Sequence, residues 1–460
     1  MSSRRPIARA ALAAVALATL AGCAATAIDD NVAAARAEVH ASGGPDFAWL
    51  ATDDAREQAR AEVARLLRQP LAADDAVRVA LSNDPALQAL LFDRAASSAE
   101  ATQSARLPNP VFAFERLAGG GTLEITRALT VPLLDVLLLP ARARQADAAQ
   151  RRLRLQLAGD VLRSAAAARV AWVDAVAAGQ SLRYAEQVRD AAEAGATLAR
   201  RLEAAGNFSA LQRAREEAFV ADAAAGLAQA RRAQRRTRET LVRTLGLGAD
   251  DAATLQLPER LPDLPATLPA AAPAQQSAID ERLDLRLARA RLDELARAQG
   301  LVRVTGTIDA LALGAERRDQ AGLPREHGLT LSVPLPLFDT GDAARSAANA
   351  RYDAALARTS ALAIVAASQL READADRRDA LALAQQFRDR LVPLRATIVG
   401  ENLLRYNGML ASPFDLLADA REQARGVQQA IAAQRDFWLA DAAWQSATLG
   451  IPSTDSTEAR

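Results

Sequence analysis

The amino-acid sequence predicts a mainly α-helical chain in which one unit, a long helical hairpin attached to a short β-hairpin, occurs twice. Three observations predict this fold class. Long stretches rich in Ala, Arg, Leu and Gln contain no Pro, as is typical of long helices. Two shorter stretches show the alternation of apolar and polar residues that indicates strands. Short landmarks of the first half recur in the second half at a nearly constant offset, which indicates a duplication.

The composition limits the chemistry that this chain could perform. Its 460 residues include 56 basic and 56 acidic ones, so the net charge is zero. The chain therefore lacks the excess of basic residues that is typical of a nucleic-acid-binding protein. Only two His residues (His40 and His327) and one Cys (Cys23) are present. We find no catalytic constellation and no set of metal ligands, so we expect neither an enzyme nor a bound cofactor or metal.

The N-terminus has the features of an export signal. Arg4 and Arg5 precede an apolar run over residues 10–20 that is too short to span a bilayer permanently. The following LAGC at 20–23 resembles the lipobox of bacterial lipoproteins, in which the Cys is lipidated and becomes the mature N-terminus. We therefore predict a signal peptide over 1–22 and a lipid anchor on Cys23, followed by an N-terminal segment over 23–75. The alternative is an ordinary signal peptide that is cleaved near a Cys.

Internal repetition divides the rest of the chain into two copies of one unit. Three landmarks occur in the same order in both halves, 202 to 204 residues apart. We predict a first repeat over 76–256, a Pro-rich surface linker over 257–275, a second repeat over 276–451 and a tail over 452–460. The matched landmarks are VPL at 131–133 with VPL at 333–335, Gly206 with Gly408, and LGL at 245–247 with LGI at 449–451.

In the first repeat, the pattern predicts a helix over 76–106, with Pro85 tolerated in an early turn. Apolar runs on both sides of a glycine-rich turn at 118–121 predict two strands within about 111–132. A long helical hairpin follows over about 140–246.

The second repeat follows the same plan. A helix is predicted over 279–300, two strands over about 302–337, and a helical hairpin over about 341–449. Apolar and polar residues alternate clearly over 329–335, as in a strand. Pro393 lies inside the long helix and is expected to bend it, because Pro removes one hydrogen bond of the ladder.

Each long helix is expected to end at a glycine. Gly206 and Gly408 are predicted to form the turns of the two helical hairpins. Ser209 and Ser412 follow at the spacing of N-cap residues for the returning helices. Each repeat is therefore a helical hairpin with a strand pair at its other end.

Four strands are too few to close a barrel, and the edges of a sheet cannot stay unpaired in lipid. Three copies of the chain would supply twelve strands, an acceptable even number for a membrane barrel. Their long helices would likewise form a helical cylinder. The fold class expected from the sequence is therefore a mainly helical chain with a small membrane β part that trimerises into a 12-strand β-barrel and an α-helical tunnel.

The order of these signals in both halves resembles the TolC-type outer-membrane efflux protein family. The similarity covers nearly the whole mature chain. No single motif is specific for the family, but the set of motifs in this order is. The matching motifs are LAGC at 20–23, DPAL at 84–87, LPNP at 107–110, PLLD at 132–135, PLFD at 336–339, YNG at 406–408, DLL at 415–417 and LGI at 449–451.

The resemblance implies an outer-membrane lipoprotein that works as a homotrimer and performs no chemistry. Members of the family form a passive conduit for efflux or secretion. They receive substrate from an inner-membrane pump through a periplasmic adaptor protein. One departure concerns the LFDTG motif at 337–341, whose counterpart in the first repeat reads LLDVLLLP at 133–140 and lacks the glycine. An unusual or shortened barrel is therefore an open alternative, and the sequence does not specify the substrate.

The resemblance also implies a periplasmic gate near the two hairpin turns. Tyr406 falls at a gate tyrosine position and Asp415 at an aperture acid position of the family. A threefold ring of Asp415 would favour cations, whereas the alternative is a first-turn acid that complements the helix dipole. Tyr406 could instead serve in helix packing, and Arg405 could pair with an acid of a neighbouring helix.

A second function class stays open at this point. The chain could be a periplasmic adaptor or a coiled-coil scaffold lipoprotein that never spans a membrane. Adaptors have one helical hairpin that is split by a lipoyl-like β domain, whereas this chain has two hairpins in tandem and no such domain. The tandem arrangement therefore favours the conduit.

Overall fold

A computed structural model describes residues 23–120, 122–268, 279, 281–308 and 310–451. The predicted signal peptide, the C-terminal tail, the lipidation of Cys23 and part of the linker lie outside what it describes. The chain forms two compact units. The first contains the N-terminal residues up to Glu38 together with Leu90–Ala158 and Leu283–Ile364, and the second contains Val39–Ala89, Gly159–Arg282 and the residues from Val365 onwards.

Four helices precede the first strand: α1 (Cys23–Ala41), α2 (Asp53–Leu66), α3 (Ala73–Asn83) and α4 (Pro85–Ser104). The single helix predicted over 76–106 is therefore wrong, because the helix breaks at Asp84. The residue before a proline avoids helical geometry, and Asp84 accordingly has an extended ψ of 114°. Its carboxylate accepts hydrogen bonds from the backbone N–H groups of Ala86 (2.9 Å) and Leu87 (3.3 Å), so Asp84 caps α4.

The four strands form one antiparallel sheet in the order β1-β2-β3-β4. Their bounds are β1 Val111–Gly119, β2 Thr122–Pro132, β3 Ala312–Gln320 and β4 Glu326–Ser332. Because β2 pairs with β3, the hairpins of the two repeats share a single sheet. The second strand pair is shorter than predicted: β4 ends at Ser332, since Pro334 and Pro336 cannot donate to a ladder.

Seven helices and one π-helical turn follow β2 in the described part of the chain. They are α5 (Leu133–Ala204), α6 (Ala210–Thr244), α7 (Ala249–Thr254), α8 (Leu283–Thr305), α9 (Asp342–Gln386), the π-helical turn Phe387–Leu391, α10 (Val392–Asn407) and α11 (Pro413–Leu449). Helix α5 begins directly after β2, about seven residues earlier than predicted. Asp135 in its first turn complements the helix dipole, and Pro140 is accommodated within the helix. None of the described helices has a stretch long and apolar enough to cross a membrane.

The π-helical turn lies directly before Pro393, where the sequence predicts a bend. The backbone N–H of Val392 donates to the carbonyl of Phe387, five residues earlier, instead of the usual four. Pro393 has no N–H and its ring displaces the preceding turn, so the wider turn accommodates it. The disturbance expected from this proline therefore takes the form of a local change in helix type.

The second unit has a continuous packed interior. The indole N–H of Trp172 donates to the carbonyl of Leu71 (2.7 Å), and the buried Arg282 donates to the carbonyl of Ala447 (2.7 Å). Leu261 and Leu264, which belong to the predicted Pro-rich linker, are both buried. The expectation that 257–275 is simply a surface connector is thus wrong for its described part.

Candidate functional site

The first helical hairpin turns at residues 205–209, and Gly206 adopts the left-handed conformation there (φ 79°). The N–H of Gly206 donates to the carbonyl of Glu203, and the N–H of Asn207 donates to that of Leu202, both at 2.8 Å. These two bonds define a Schellman motif, which satisfies the last carbonyl groups of α5. A glycine suits this position because it has no Cβ to oppose a positive φ.

The second hairpin turns at residues 408–412, but its left-handed residue is Met409 (φ 59°). Gly408 lies in the turn with a φ of −83°. The N–H of Met409 donates to the carbonyl of Tyr406 (3.0 Å), and the N–H of Leu410 donates to that of Arg405 (2.8 Å). Met409 is therefore the structural counterpart of Gly206, so the alignment of Gly206 with Gly408 is one residue out of register.

Both returning helices begin with a capping box. The Ser209 hydroxyl accepts from the N–H of Gln212, whose side chain accepts from the N–H of Ser209. In α11 the Ser412 hydroxyl accepts from the N–H of Asp415 (3.2 Å), and the Asp415 carboxylate accepts from the N–H (3.3 Å) and the hydroxyl (2.8 Å) of Ser412. Within one chain Asp415 therefore has the geometry of a first-turn acid, and it is exposed.

Arg405 and Tyr406 lie in the last turn of α10. The Arg405 side chain is exposed and Tyr406 is half-buried. Within the described ranges, neither the Arg405 guanidinium nor the Tyr406 hydroxyl has a hydrogen-bond partner. The structure thus places Arg405, Tyr406 and Asp415 around one hairpin turn without joining their side chains to one another.

Further along the helices, α6 and α11 are joined by an ion pair that the sequence analysis missed. The Glu216 carboxylate, only 1% exposed, accepts a hydrogen bond from the guanidinium of Arg421. That guanidinium also lies 4.8 Å from the ring centroid of Phe219. One signal could have identified Glu216, because it shares a helix face with two buried residues. Ala223 follows Glu216 by seven residues, and Leu227 follows Ala223 by four.

The tip of the first hairpin contains a second ion-pair cluster, whose three side chains are half-buried. Arg213 of α6 contacts Glu203 of α5 at 2.7 Å and Glu217 at 2.8 Å. These hydrogen bonds, first with Glu217 and then with Glu203, raise the pKa of the Arg213 guanidinium above its usual value. Arg213 thus connects the two arms of this hairpin next to its turn.

The sheet in the first unit has two faces of different chemistry. Residues directly opposite each other on neighbouring strands lie on the same face, so the register assigns every strand residue to one side. We call the two sides the apolar face and the polar face. The large apolar residues of the apolar face are Phe112, Phe114, Leu123, Ile125, Leu129, Val131, Leu313, Leu329 and Leu331. The polar face carries two large apolar residues of β1, Val111 and Leu117, beside Glu115, Glu124, Thr126, Thr130, Glu316, Arg318, Glu326 and Thr330.

Both outer strands of the sheet have an open edge. In the part of the chain that the structure describes, β1 pairs only with β2, and β4 pairs only with β3. The strands contain 9, 11, 9 and 7 residues, and a strand needs about 9 to 11 residues to cross a bilayer. Strands β1, β2 and β3 are therefore long enough to cross a bilayer and β4 is shorter, but a single copy cannot close a barrel.

The chain has the fold of outer-membrane channel proteins. It is similar to a membrane protein from Pseudomonas aeruginosa, with a TM-score of 0.65 and 21% identity over 84% of this chain and 93% of the other. It is also similar to the outer membrane protein VceC from Vibrio cholerae, with a TM-score of 0.62 and 16% identity over 87% and 99% of the two chains.

A third similar structure is the open state of the MtrE outer membrane channel from Neisseria gonorrhoeae, with a TM-score of 0.61 and 18% identity over 82% of this chain and 89% of the other. No family model and no curated protein matches this chain by sequence. The predicted mainly helical fold with a small antiparallel sheet is thus confirmed, and so is its resemblance to TolC-type channels at the level of the fold.

Proposed function

We propose that this protein is the outer-membrane channel component of an efflux or secretion system, a passive conduit from the periplasm to the exterior. The observation that carries the proposal is the construction of the sheet. It has one apolar face and one polar face, two open edges, and a direct connection from β2 into α5. In an adaptor or scaffold protein outside the membrane, the apolar face of this sheet would be exposed to water, which is unfavourable.

The two faces would separate lipid from water. The apolar face, including Phe112, Leu129 and Leu329, would contact the acyl chains, and the polar face would line an aqueous lumen. Unpaired backbone groups are not tolerated in lipid, so the open edges of β1 and β4 require partners. Three copies, each supplying four strands, would form a closed barrel of twelve strands.

The helical hairpins would continue this conduit as a tunnel through the periplasm. We assign the gate to the two hairpin turns, at residues 205–209 and 408–412. Asp415 is exposed there, and a threefold ring of its carboxylates would concentrate negative potential in a narrow opening. Arg405 has no partner within the described part of its own chain, so it is available to pair with an acid of a neighbouring copy.

The remaining assignments concern location and partners. Cys23 would carry a lipid anchor in the outer membrane, and the homotrimer would receive substrate from an inner-membrane pump through a periplasmic adaptor. The similarity to solved outer-membrane channels supports this location. The protein would transport its substrate without a catalytic step.

Purification of the full-length protein from outer-membrane fractions tests the proposal. We expect a trimer by native mass spectrometry and discrete conductance steps in planar bilayers. The matched variant Cys23→Ser should lose the anchor and still form conducting trimers when it is purified in detergent. A monomer that appears in the soluble periplasm after this substitution and never conducts would instead support the adaptor or scaffold alternative.

A further inference from the structure

A row of basic side chains crosses the apolar face of the sheet. Arg127 of β2 lies directly opposite Arg317 of β3, and Arg317 lies directly opposite His327 of β4. Directly opposite residues share a face, so these three side chains follow one line across three strands. We call this line the basic row.

The basic row borders an apolar surface. On the side toward the helices, the next row contains Leu129 and Leu329, and the row after it contains Val131 and Leu331. On the side toward the turns, the same face carries Arg116 and Asp319, together with the apolar Ile125 and Leu123 of β2. On β1, β3 and β4 the large apolar residues of this face therefore lie within the basic row or on its helix side, and only β2 carries them beyond it.

One acid partly neutralises this end of the face. Asp319 accepts a hydrogen bond from Arg127 (2.6 Å), and its carboxylate lies 3.4 Å from the nearest guanidinium nitrogens of Arg317 and Arg325. With Arg116 on the same face, this end of the face carries four guanidinium groups and one carboxylate, which leaves an excess of three positive charges if His327 is neutral.

The polar face has the opposite sign. It carries four carboxylates, those of Glu115, Glu124, Glu316 and Glu326, and one guanidinium, that of Arg318. Arg318 pairs with Glu124 at 2.9 Å. The positive excess is therefore specific to the apolar face and is not a general property of the strands near the turns.

We propose that the basic row binds the phosphate group of an anionic lipid whose acyl chains cover the apolar rows beside it. The inference rests on the proposed function, since it requires the apolar face to contact the membrane. Guanidinium groups form paired hydrogen bonds with phosphate oxygens and keep their charge at the membrane interface. A phosphate in free solution would gain nothing from the adjoining apolar rows, so the structure favours a lipid.

The test compares two faces of the same strand. The full-length trimer is placed in nanodiscs that contain phosphatidylglycerol and phosphatidylcholine, extracted mildly, and analysed by native mass spectrometry for retained lipid. The double variant Arg127→Gln/Arg317→Gln removes the basic row. The matched control Arg318→Gln changes the neighbouring residue of β3, whose side chain lies on the polar face.

We expect the wild-type trimer to retain phosphatidylglycerol in preference to phosphatidylcholine. Each arginine near an anionic lipid surface contributes a factor of about five, so the double variant should lose that preference by about 25-fold. Arg318→Gln should keep it. If the double variant does not assemble, the single variant Arg317→Gln replaces it, since it keeps the ion pair between Arg127 and Asp319, and a loss of about fivefold is expected.

Three results would overturn the inference: equal retention by wild type and the variants, an equal loss in Arg318→Gln, or complete displacement of the lipid by millimolar inorganic phosphate. Conductance measured on the same preparations separates this inference from the proposed function. A conducting wild type without lipid preference would remove the lipid site and keep the channel. A wild type that neither trimerises nor conducts would remove the proposed function itself.

Discussion

The carboxylate of Glu216 and the guanidinium of Arg421 form a buried ion pair that joins the returning helices of the two repeats. Glu216 is 1% exposed and the Arg421 side chain 20%. Removal of one partner leaves the other charge buried without compensation, which costs about 3 kcal/mol or more. This contact therefore couples the two hairpins energetically, although it connects residues far apart in sequence.

We predict that Arg421→Gln lowers the free energy of unfolding by about 3 kcal/mol, because Glu216 stays buried without its cation. Thermal unfolding followed by the far-UV helix signal measures the change. Glu217→Gln is the matched control: the Glu217 side chain is 41% exposed and pairs with Arg213, so the expected loss is below about 1 kcal/mol. Equal losses of unfolding free energy in the two variants would show that the buried pair stabilises the protein no more than the pair of Glu217 with Arg213.

The two hairpin glycines should respond differently to substitution. Gly206→Ala forces a Cβ into a left-handed position and should destabilise the protein by about 1 kcal/mol. Gly408→Ala should be neutral or slightly stabilising, because Gly408 has a negative φ and an added Cβ would meet only ordinary contacts at 3.6 Å or beyond. Chemical denaturation of both variants measures the difference, and a larger loss for Gly408→Ala would contradict the observed register.

Substitutions in the second capping box should separate the two roles of Asp415. Asp415→Asn keeps a hydrogen-bond acceptor at the helix start and removes the charge, so we expect reduced cation selectivity with little loss of stability. Ser412→Ala keeps the charge and removes the cap, at a cost of about 1 kcal/mol. Reversal potentials in asymmetric salt measure selectivity. If Asp415→Asn leaves selectivity unchanged, Asp415 is only a first-turn acid.

Two adjacent positions of β4 test which face contacts lipid. Leu331→Arg places a charge on the apolar face and should destabilise the membrane-inserted protein, but by less than the roughly 2 to 4 kcal/mol of a midplane site, because Leu331 lies one residue from the end of β4. Thr330→Arg places the same charge on the polar face, so it should be tolerated and should alter conductance. The yield of trimer in outer-membrane fractions measures insertion. Insertion at equal yield would contradict the assignment of the faces.

The features that the sequence predicts well are those encoded by many residues at once. The long helical hairpins and the alternation at 329–332 each depend on a pattern that no single residue decides. Pairing of β2 with β3 was not predicted as such, because register depends on residues far apart in the chain.

The features that were missed depend on single positions. Asp84 breaks a helix because the residue before Pro85 avoids helical geometry, a local effect that a long periodic pattern conceals. Met409 takes the left-handed position although Gly408 stands beside it, because the two backbone bonds that close α10 fix which residue occupies it. Glu216 has the same residue type as the half-buried Glu217, and only its position on the helix face distinguishes it.

Pairing of β2 with β3 also determines the order of events during biogenesis. The ion pair between Arg127 and Asp319 spans 192 residues of sequence, so the sheet can form only after most of the chain has been synthesised. Until then β1 and β2 expose an apolar surface and an unpaired edge, a combination that promotes aggregation. The duplicated architecture therefore leaves the nascent first hairpin open to aggregation until its partner strands are available.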